Sequence, residues 1–176
     1  MHMQHINHFN FGPACEGETL AFGAQAPESI RVKYWVDGMK TRGIKRVICL
    51  LPDAEIDDVY KLQPIREIYK REFGEDNICL AGILDSHICS RELLVNKIIP
   101  FMQQSVKNDD KFVVHCMAGA GRTSRILAAF LTHIRKIDPA KALEAVSSIE
   151  GVYRHPLEGV GWNYSLKELL ALLKAD

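Results

Sequence analysis

The stretch from Lys111 to Phe130 reads KFVVHCMAGAGRTSRILAAF, and it joins an apolar run, a glycine-containing loop and an amphipathic segment. The apolar run, Lys111–His115, predicts a short strand. Apolar residues then recur at helical spacing, which predicts a helix over Arg122–Arg135. A strand followed by a tight loop and a helix is typical of a parallel α/β sheet.

The same alternation of strands and helices extends outward in both directions. The other predicted strands are Thr19–Gly23, Arg46–Leu51 and Asn77–Leu84. The other predicted helices are Pro27–Gly43, Pro64–Phe73, Arg91–Val106, Asp138–Ile149 and Trp162–Lys174. This order predicts an α/β fold with a central, mainly parallel sheet of about four to five strands flanked by helices. The last third adds only helices, which we expect to cluster against one face.

In a parallel sheet the carboxyl ends of the strands share one edge, and ligands bind there. We therefore expect the loops that follow Leu51, Leu84 and His115 to converge. The expected organisation is an N-terminal extension over residues 1–18 and a single domain over residues 19–176.

Composition narrows the class of protein. The 176 residues include 22 Lys plus Arg and 22 Asp plus Glu, with 47% hydrophobic and 25% charged residues. These proportions are typical of a soluble globular domain and exclude a disordered chain. Nucleic-acid binding needs a surplus of positive charge, so the zero net charge argues against a nucleic-acid partner. No apolar run approaches the ~20 residues that span a bilayer, so we expect no membrane partner.

The cysteine and histidine patterns predict neither a disulfide framework nor a metal site. The five cysteines are odd in number and form no CxxC pair: Cys15, Cys49, Cys79, Cys89 and Cys116. We expect Cys49 and Cys79 to be buried thiols, because both lie in apolar runs. The N-terminus has no signal-peptide pattern, so a reducing cytoplasm is the expected location. His2, His5 and His8 are interpreted as an exposed, tag-like end.

The loop between the strand and the helix has the residue types of an oxyanion site. Gly119 and Gly121 permit a tight arc whose N–H groups turn inward as an anion-binding nest. The helix beginning near Arg122 adds its positive end, and the guanidinium can grip two phosphate oxygens at once. Helix N-termini and neighbouring cations lower the pKa of cysteine thiols to roughly 3.5–7.5. We therefore expect Cys116 to be a ready thiolate nucleophile.

This loop resembles the HCxxGxxR[ST] motif of the cysteine-dependent protein tyrosine phosphatases. HCMAGAGRT matches every fixed position of the motif, namely His115, Cys116, Gly119, Arg122 and Thr123. The likeness extends more loosely over residues 45–173 and is closest to the compact dual-specificity branch. The Trp-Pro-Asp loop of longer relatives is absent, because Ile83 and Leu84 precede Asp85. Ser124 replaces a glycine that many relatives have, which bears on how closely the helix packs.

The resemblance implies hydrolysis of a phosphomonoester through a phosphocysteine intermediate, without a metal or other cofactor. It implies that Arg122 and the backbone of the preceding five residues bind the phosphate: Met117, Ala118, Gly119, Ala120 and Gly121. Cys116 is then the nucleophile, the Thr123 hydroxyl bonds its sulfur, and buried His115 supports the loop. Residues 19–176 would be the catalytic domain. Phosphate, sulfate and vanadate are the anions that fit such a site.

Cleavage also needs an acid to protonate the departing oxygen. Asp85 follows the strand 77–84 and lies 31 residues before Cys116, similar to the general acid of dual-specificity phosphatases. Asp53 follows another strand at the same edge and is the alternative candidate for the acid.

Arg125 is interpreted as a solvated surface residue, the alternative being a contact to a second anionic group on the substrate.

Several alternatives remain at this stage. The substrate expected first is phosphotyrosine, with phosphoserine or phosphothreonine, in a phosphorylated protein or small phosphomonoester. Phosphoinositides and inositol phosphates are disfavoured, because the loop carries Met, Ala and Ala where extra phosphates would call for lysines. Two further hypotheses are a non-catalytic phosphate-binding module and a sulfur- or arsenate-handling enzyme. Cys89, Cys49 or Cys79 could protect Cys116 through a disulfide. The basic turn 154–156 could line the cleft.

Overall fold

A five-stranded sheet forms the centre of the molecule, for which the computed structural model describes residues 7–176. The strands are β1 (Gly12–Pro13), β2 (Ala21–Ala24), β3 (Arg46–Cys49), β4 (Ile78–Leu80) and β5 (Phe112–His115). Their order is β1-β2-β5-β3-β4, with β1 antiparallel and the other neighbours parallel. The predicted α/β fold with a mainly parallel sheet is therefore confirmed. His2 and His5 lie outside the described residues.

The parallel strands align their carboxyl ends at one edge. His115, the last residue of β5, pairs in register with Ala24 of β2 and Cys49 of β3. Every residue of β3 and β5 is buried, because helices cover both faces of these central strands. The loop after β5 therefore begins at the middle of the sheet's carboxyl edge.

Eight α-helices are present in the part of the chain that the structure describes. They are α1 (Val32–Thr41), α2 (Asp53–Val59), α3 (Ile65–Phe73), α4 (Arg91–Leu93), α5 (Ile99–Lys107), α6 (Gly121–His133), α7 (Pro139–Ser147) and α8 (Leu166–Leu173). The first three helices cover one face of the sheet and the last five cover the other. No helix among these residues is long and apolar enough to cross a membrane.

The pleat of β5 divides the core between the two faces. Val113 points into the cluster formed with α1 to α3, whereas Phe112 and Val114 point into the cluster formed with α4 to α8. Helix α6 is buried over residues 121–132, because it lies between the sheet and the helices α7 and α8. The predicted cluster of C-terminal helices against one face is confirmed.

Helix α1 begins later than the sequence pattern predicts. Ile30 is 72% exposed and Tyr34 is 47% exposed, so these two residues do not belong to the buried face. The buried face consists of Val32, Trp35, Val36 and Met39. Residues 28–31 instead form a turn, in which the Arg31 N–H donates to the Glu28 carbonyl oxygen at 2.9 Å.

The strand predicted over Asn77–Leu84 is shorter in the structure, where β4 ends at Leu80. Its neighbour β3 turns away at Pro52, which has no N–H to continue a ladder. Two further hydrogen bonds hold the extended chain beyond β4, from Ala81 N to Cys49 O and from Ile83 N to Leu50 O, each at 2.9 Å. The chain therefore still leads residues 83–85 to the carboxyl edge.

Other helix boundaries differ from the predicted ones because of a capping residue or an interruption within the helix. The final helix begins at Leu166 rather than Trp162, because Ser165 forms a capping box with Glu168. The helix predicted over Arg91–Val106 contains a π-helical segment, Leu94–Ile98, next to Pro100, which cannot donate a backbone hydrogen bond. Asp138 caps α7 as predicted, accepting from two backbone N–H groups.

Residues 7–13 pack against the rest of the domain. β1 pairs with β2, and the Gln25 N–H donates to the Phe9 carbonyl oxygen at 2.8 Å. Asn10 is 3% exposed. The division into an extension at residues 1–18 and a domain from residue 19 stays a prediction, with β1 inside the first segment.

Candidate active site

The loop that joins β5 to α6, the 116–122 loop, turns its carbonyl groups toward the surrounding protein. Besides the Cys116 carbonyl oxygen, which accepts from His115, three of its carbonyl oxygens accept hydrogen bonds from outside the loop. The donors are Ala26 N to Met117 O at 2.8 Å, Asn10 Nδ2 to Ala118 O at 3.1 Å and His155 N to Ala120 O at 3.1 Å. Within residues 7–176, no hydrogen bond uses the N–H groups of residues 117–120. The loop therefore has its acceptors occupied and its donors available to an anion.

Two glycines allow this loop to pack as it does. Gly119 has φ +75°, and a Cβ there would lie 2.6 Å from the carbonyl oxygen of Ala24. Gly121 has no such strain, but a Cβ on it would lie 1.9 Å from the Glu158 carboxylate. The first glycine brings the loop against the end of β2, and the second makes room for an acidic side chain beside the N-terminus of α6.

Cys116 lies at the base of the loop with its sulfur in a polar contact. The residue is 3% exposed, and the Thr123 hydroxyl donates to Sγ across 3.1 Å. Thr123 is fully buried in the first turn of α6. Ser124, the departure from the family pattern, is also fully buried, and its hydroxyl donates to the Ala120 carbonyl oxygen. The serine is accommodated within the first turn.

Arg122 is buried and held by the first turn of α2 and by the segment that follows β4. Its Nη1 donates to the Ile83 carbonyl oxygen at 2.9 Å and lies 3.2 Å from Oε1 of Glu55. Its Nη2 lies 3.3 Å from Oε2 of Glu55. The Nε of Arg122 is buried and has no hydrogen-bond partner within residues 7–176. These contacts fix the plane of the guanidinium and leave Nε and one N–H of Nη2 for an anion.

The structure distinguishes between the two aspartates considered as acids. Asp85 Oδ1 lies 3.5 Å from Nη2 of Arg122, and the side chain is 67% exposed. Asp53 is 89% exposed and pairs instead with Arg66, at 2.6 Å. Of the two, the aspartate that the structure brings to the 116–122 loop is Asp85.

His115 is fully buried beneath the loop as a neutral imidazole. Its Nδ1 donates to the Cys116 carbonyl oxygen at 2.9 Å, so its Nε2 accepts from the Tyr69 hydroxyl at 3.0 Å. Burial lowers the pKa of His115 to about 4, and the nearby Arg122 charge acts in the same direction. Burial also raises the pKa of Tyr69. Both ring nitrogens are thus engaged in hydrogen bonds, an arrangement that suits a residue supporting the base of the 116–122 loop.

The prediction that Arg125 is a solvated surface residue is wrong. Its exposure is 3%, and its guanidinium donates to backbone carbonyl oxygens of two loops. Arg154, in the basic turn 154–156, is also buried. It donates to the carbonyl oxygens of Gly12 and Pro13, so it holds β1 in place. The local sequence does not predict where either guanidinium lies, because its hydrogen-bond acceptors are distant in the chain.

The remaining cysteines are buried or half-buried thiols, and all five are free. Cys49 and Cys79 are buried, as predicted. Burial raises the pKa of Cys49 and Cys89 to about 12 and that of Cys79 to about 11. A protective disulfide with Cys116 stays a prediction. No cluster of three His, Cys, Asp or Glu side chains suited to a metal occurs in residues 7–176.

Sequence reasoning missed Glu55, Glu158 and Asn10. Glu55 lies two residues after Asp53, at the start of a helix on the carboxyl edge of the sheet. That position could have marked it as a candidate site residue. Glu158 and Asn10 reach the site across long sequence separations, and no local pattern marks them.

Comparison with known proteins supplies the family. The family model described as polymorphic toxin system, DSP-PTPase phosphatase, matches residues 37–136, more than half of the chain. The chain belongs to this family. No curated protein sequence matches it.

Solved structures of phosphatases share the fold. Kinase associated phosphatase (KAP), with its catalytic site cysteine replaced by serine, has a TM-score of 0.71 at 16% identity over 97% of this chain and 93% of that chain. Tk-PTP in the active form has a TM-score of 0.66 at 21% identity, over 90% of this chain and 97% of that one. PTPMT1 in complex with PI(5)P has a TM-score of 0.66 at 14% identity, over 93% and 94%. The solved structures show the shared fold, and the family model identifies this DSP-PTPase domain as a phosphatase.

Proposed function

We propose that this DSP-PTPase domain hydrolyses phosphotyrosine, and phosphoserine or phosphothreonine, through a phosphocysteine intermediate on Cys116. The strongest support is the arrangement of the 116–122 loop. Its carbonyl oxygens are bonded to the scaffold and its N–H groups are unused within residues 7–176, directly beside the Cys116 sulfur and a buried guanidinium. Preorganised donors of this kind stabilise an oxyanion without reorganisation during the reaction.

In the first step, the Cys116 thiolate attacks phosphorus and forms a sulfur–phosphorus bond while the bond to the leaving oxygen breaks. Asp85, in its acid form, gives its proton to that oxygen. The backbone N–H groups of residues 117–121 and the Arg122 guanidinium bind the three non-bridging oxygens. The proximity of Asp85 Oδ1 to Arg122, at 3.5 Å, supports this role because it brings the carboxyl group to the rim of the anion site.

In the second step, Asp85 acts as a base and takes a proton from water. The water oxygen bonds to phosphorus, the sulfur–phosphorus bond breaks, and inorganic phosphate leaves with the thiolate restored. The Thr123 hydroxyl eases the departure of the sulfur, since it donates to Sγ across 3.1 Å. His115 stays neutral throughout and holds the base of the loop.

The charge of the loop supports a protein or small monoester substrate over a phosphoinositide. Met117, Ala118 and Ala120 carry no charge, so the loop offers no cation to further phosphates. Glu158 beside Gly121 adds a negative charge at the same place. A reducing cytoplasm is the proposed location, in keeping with five free cysteines. No metal or other cofactor enters the proposed cycle.

The test is turnover of para-nitrophenyl phosphate by the intact chain, followed by a panel of phosphotyrosyl, phosphoseryl, phosphothreonyl and inositol phosphate substrates. We expect Cys116→Ser to abolish turnover while phosphate binding persists. Asp85→Asn is expected to lower kcat by about a hundredfold, with little change in substrate binding.

The matched control is Asp53→Asn, which removes a carboxylate from the same edge of the sheet and is expected to keep the wild-type rate. Loss of activity in Asp53→Asn with a normal rate in Asp85→Asn would contradict the acid assignment. Tight phosphate binding with no turnover by the wild type would favour a binding module instead. Preferential hydrolysis of an inositol phosphate would overturn the substrate class.

A further inference from the structure

Arg125 joins two loops at the mouth of the site. The first is the acid loop (residues 85–87), and the second is the α7–α8 loop (residues 148–165). Nη2 of Arg125 donates to the His87 carbonyl oxygen at 2.9 Å, and Nη1 donates to the Glu158 carbonyl oxygen at 2.9 Å. One guanidinium therefore bonds to the backbone of both loops.

Further contacts show that the two loops pack directly on each other. Asn163 Nδ2 donates to the Ser86 carbonyl oxygen at 3.0 Å, and the Ser86 hydroxyl donates to Oε1 of Glu158 at 3.3 Å. Gly159 lies so close that a Cβ there would be 2.0 Å from the Ser86 carbonyl oxygen. The position of the acid loop thus depends on the α7–α8 loop, and Arg125 holds the junction from below.

The chemistry of Arg125 is that of a backbone clamp. No carboxylate within the described residues forms a salt bridge with it, and its side chain lies 5.5 Å from the centre of the Tyr164 ring. Burial lowers the pKa of Arg125, which reflects the cost of placing a cation in the interior. Carbonyl oxygens with ordinary hydrogen-bond geometry offset that cost only while both loops stay in position.

Helix α6 carries both arginines that contact the acid loop, Arg122 and Arg125. Arg122, one turn before Arg125, approaches the Asp85 carboxylate at 3.5 Å, while Arg125 bonds to the backbone two residues after Asp85. We propose that Arg125 is a positioning residue for the general acid, fixing the acid loop so that Asp85 faces the leaving oxygen. This inference rests on the proposed function, in which Asp85 is the acid.

The experiment compares substrates whose leaving groups differ in their need for a proton. Dinitrophenyl phosphate has a leaving group that departs without protonation, whereas phenyl and alkyl phosphates need the acid. For Arg125→Met, we expect kcat/KM, which reports the step in which the leaving group departs, to fall by about 30-fold on the phenyl and alkyl phosphates and by less than about threefold on dinitrophenyl phosphate. Arg125→Lys keeps the charge but reaches one loop only, so its pattern is expected to be intermediate.

The matched control is Arg46→Met. Arg46 is also a buried arginine bonded to carbonyl oxygens, at 2.8 Å to Phe101, and it stacks on that ring at 3.7 Å. It lies at the opposite end of the sheet, at the start of β3. We expect Arg46→Met to lower the melting temperature as Arg125→Met does, without any dependence on the leaving group.

Asp85→Asn separates failure of this inference from failure of the proposed function. If Asp85→Asn shows no leaving-group dependence, the acid assignment itself is wrong. If Asp85→Asn shows it and both Arg125 variants slow all substrates equally, the positioning role is wrong and the proposed function stands. In the double variant Arg125→Met with Asp85→Asn, we expect no further leaving-group dependence beyond that of Asp85→Asn alone.

Discussion

His115 shows how a single buried residue makes the site sensitive to acid. The neutral ring donates to the Cys116 carbonyl oxygen and accepts from the Tyr69 hydroxyl, and the residue is fully buried. Protonation of Nε2 would place a second positive charge in the interior, close enough to Arg122 to be repelled by it. Burial and the Arg122 charge lower the pKa of His115 and so resist protonation, against the hydrogen bond to the Cys116 carbonyl oxygen, which raises it.

We predict that the domain loses stability as the pH falls below roughly 6.5, the ordinary pKa of histidine. The folded chain keeps His115 neutral down to about pH 4, whereas the unfolded chain takes up the proton earlier. The free energy of unfolding should decrease by about 3 kcal/mol over this interval from this residue. Urea denaturation at a series of pH values measures it.

His115→Gln is the control, since glutamine does not titrate. Its unfolding free energy should be lower at neutral pH and should lose this part of the pH dependence. Identical pH profiles for the two proteins would show that His115 is already protonated in the folded state or makes no contribution.

The residues that sequence reasoning identified are those that lie within one short motif. Cys116, Arg122 and Thr123 stand within eight positions of each other on a strand, a loop and a helix, so their meeting is a local property. Arg125 lies in the same helix and was still misread. Its acceptors are 33 and 38 residues away, and nothing in the local sequence specifies them.

At the scale of elements, the 116–122 loop depends on its contact with the end of β2. Gly119 combines a positive φ of +75° with a close approach to Ala24. The strand-loop-helix order was predictable, because it follows from local apolar pattern and glycine placement. The ends of α1 and β4 were not predictable, because packing of Trp35 and the turn at Pro52 determine them.

We predict that Gly119→Ala lowers stability by about 3 kcal/mol and removes most activity, because backbone strain and a clash with backbone atoms add together. Gly17→Ala is the matched control. Gly17 has φ +84° and no atom within 4 Å of an added Cβ, so it carries the strain without the clash. Its expected cost is about 1–2 kcal/mol with full activity. Equal effects in the two variants, measured by denaturation and turnover, would contradict the importance of the β2 contact.

At the scale of the whole molecule, Asn10 connects three distant parts of the chain. Its side chain donates to the carbonyl oxygens of Ala118 at 3.1 Å and Tyr153 at 2.9 Å, and accepts from the Tyr153 N–H at 2.8 Å. The N-terminal segment, the 116–122 loop and the α7–α8 loop therefore meet at one side chain. Composition and periodicity could give the α/β class but not this junction.

We predict that Asn10→Ala lowers the free energy of unfolding by about 3 kcal/mol, since it leaves several buried backbone groups without partners. It should also raise the KM for phosphomonoesters, because the Ala118 carbonyl is no longer held. The control is Asn7→Ala, which removes local, exposed bonds to Phe11 and is expected to cost under about 1 kcal/mol. A KM unchanged in both variants would show that the loop keeps its shape without Asn10.

The Asn10 junction also bears on how the protein is made. Translation adds Tyr153 to the chain 143 residues after Asn10. Throughout that part of translation the nascent chain lacks one side of the anchor for its phosphate-binding backbone. The full set of Asn10 hydrogen bonds therefore forms only after Tyr153 has been translated, however early the strand and helix on either side of the loop assemble.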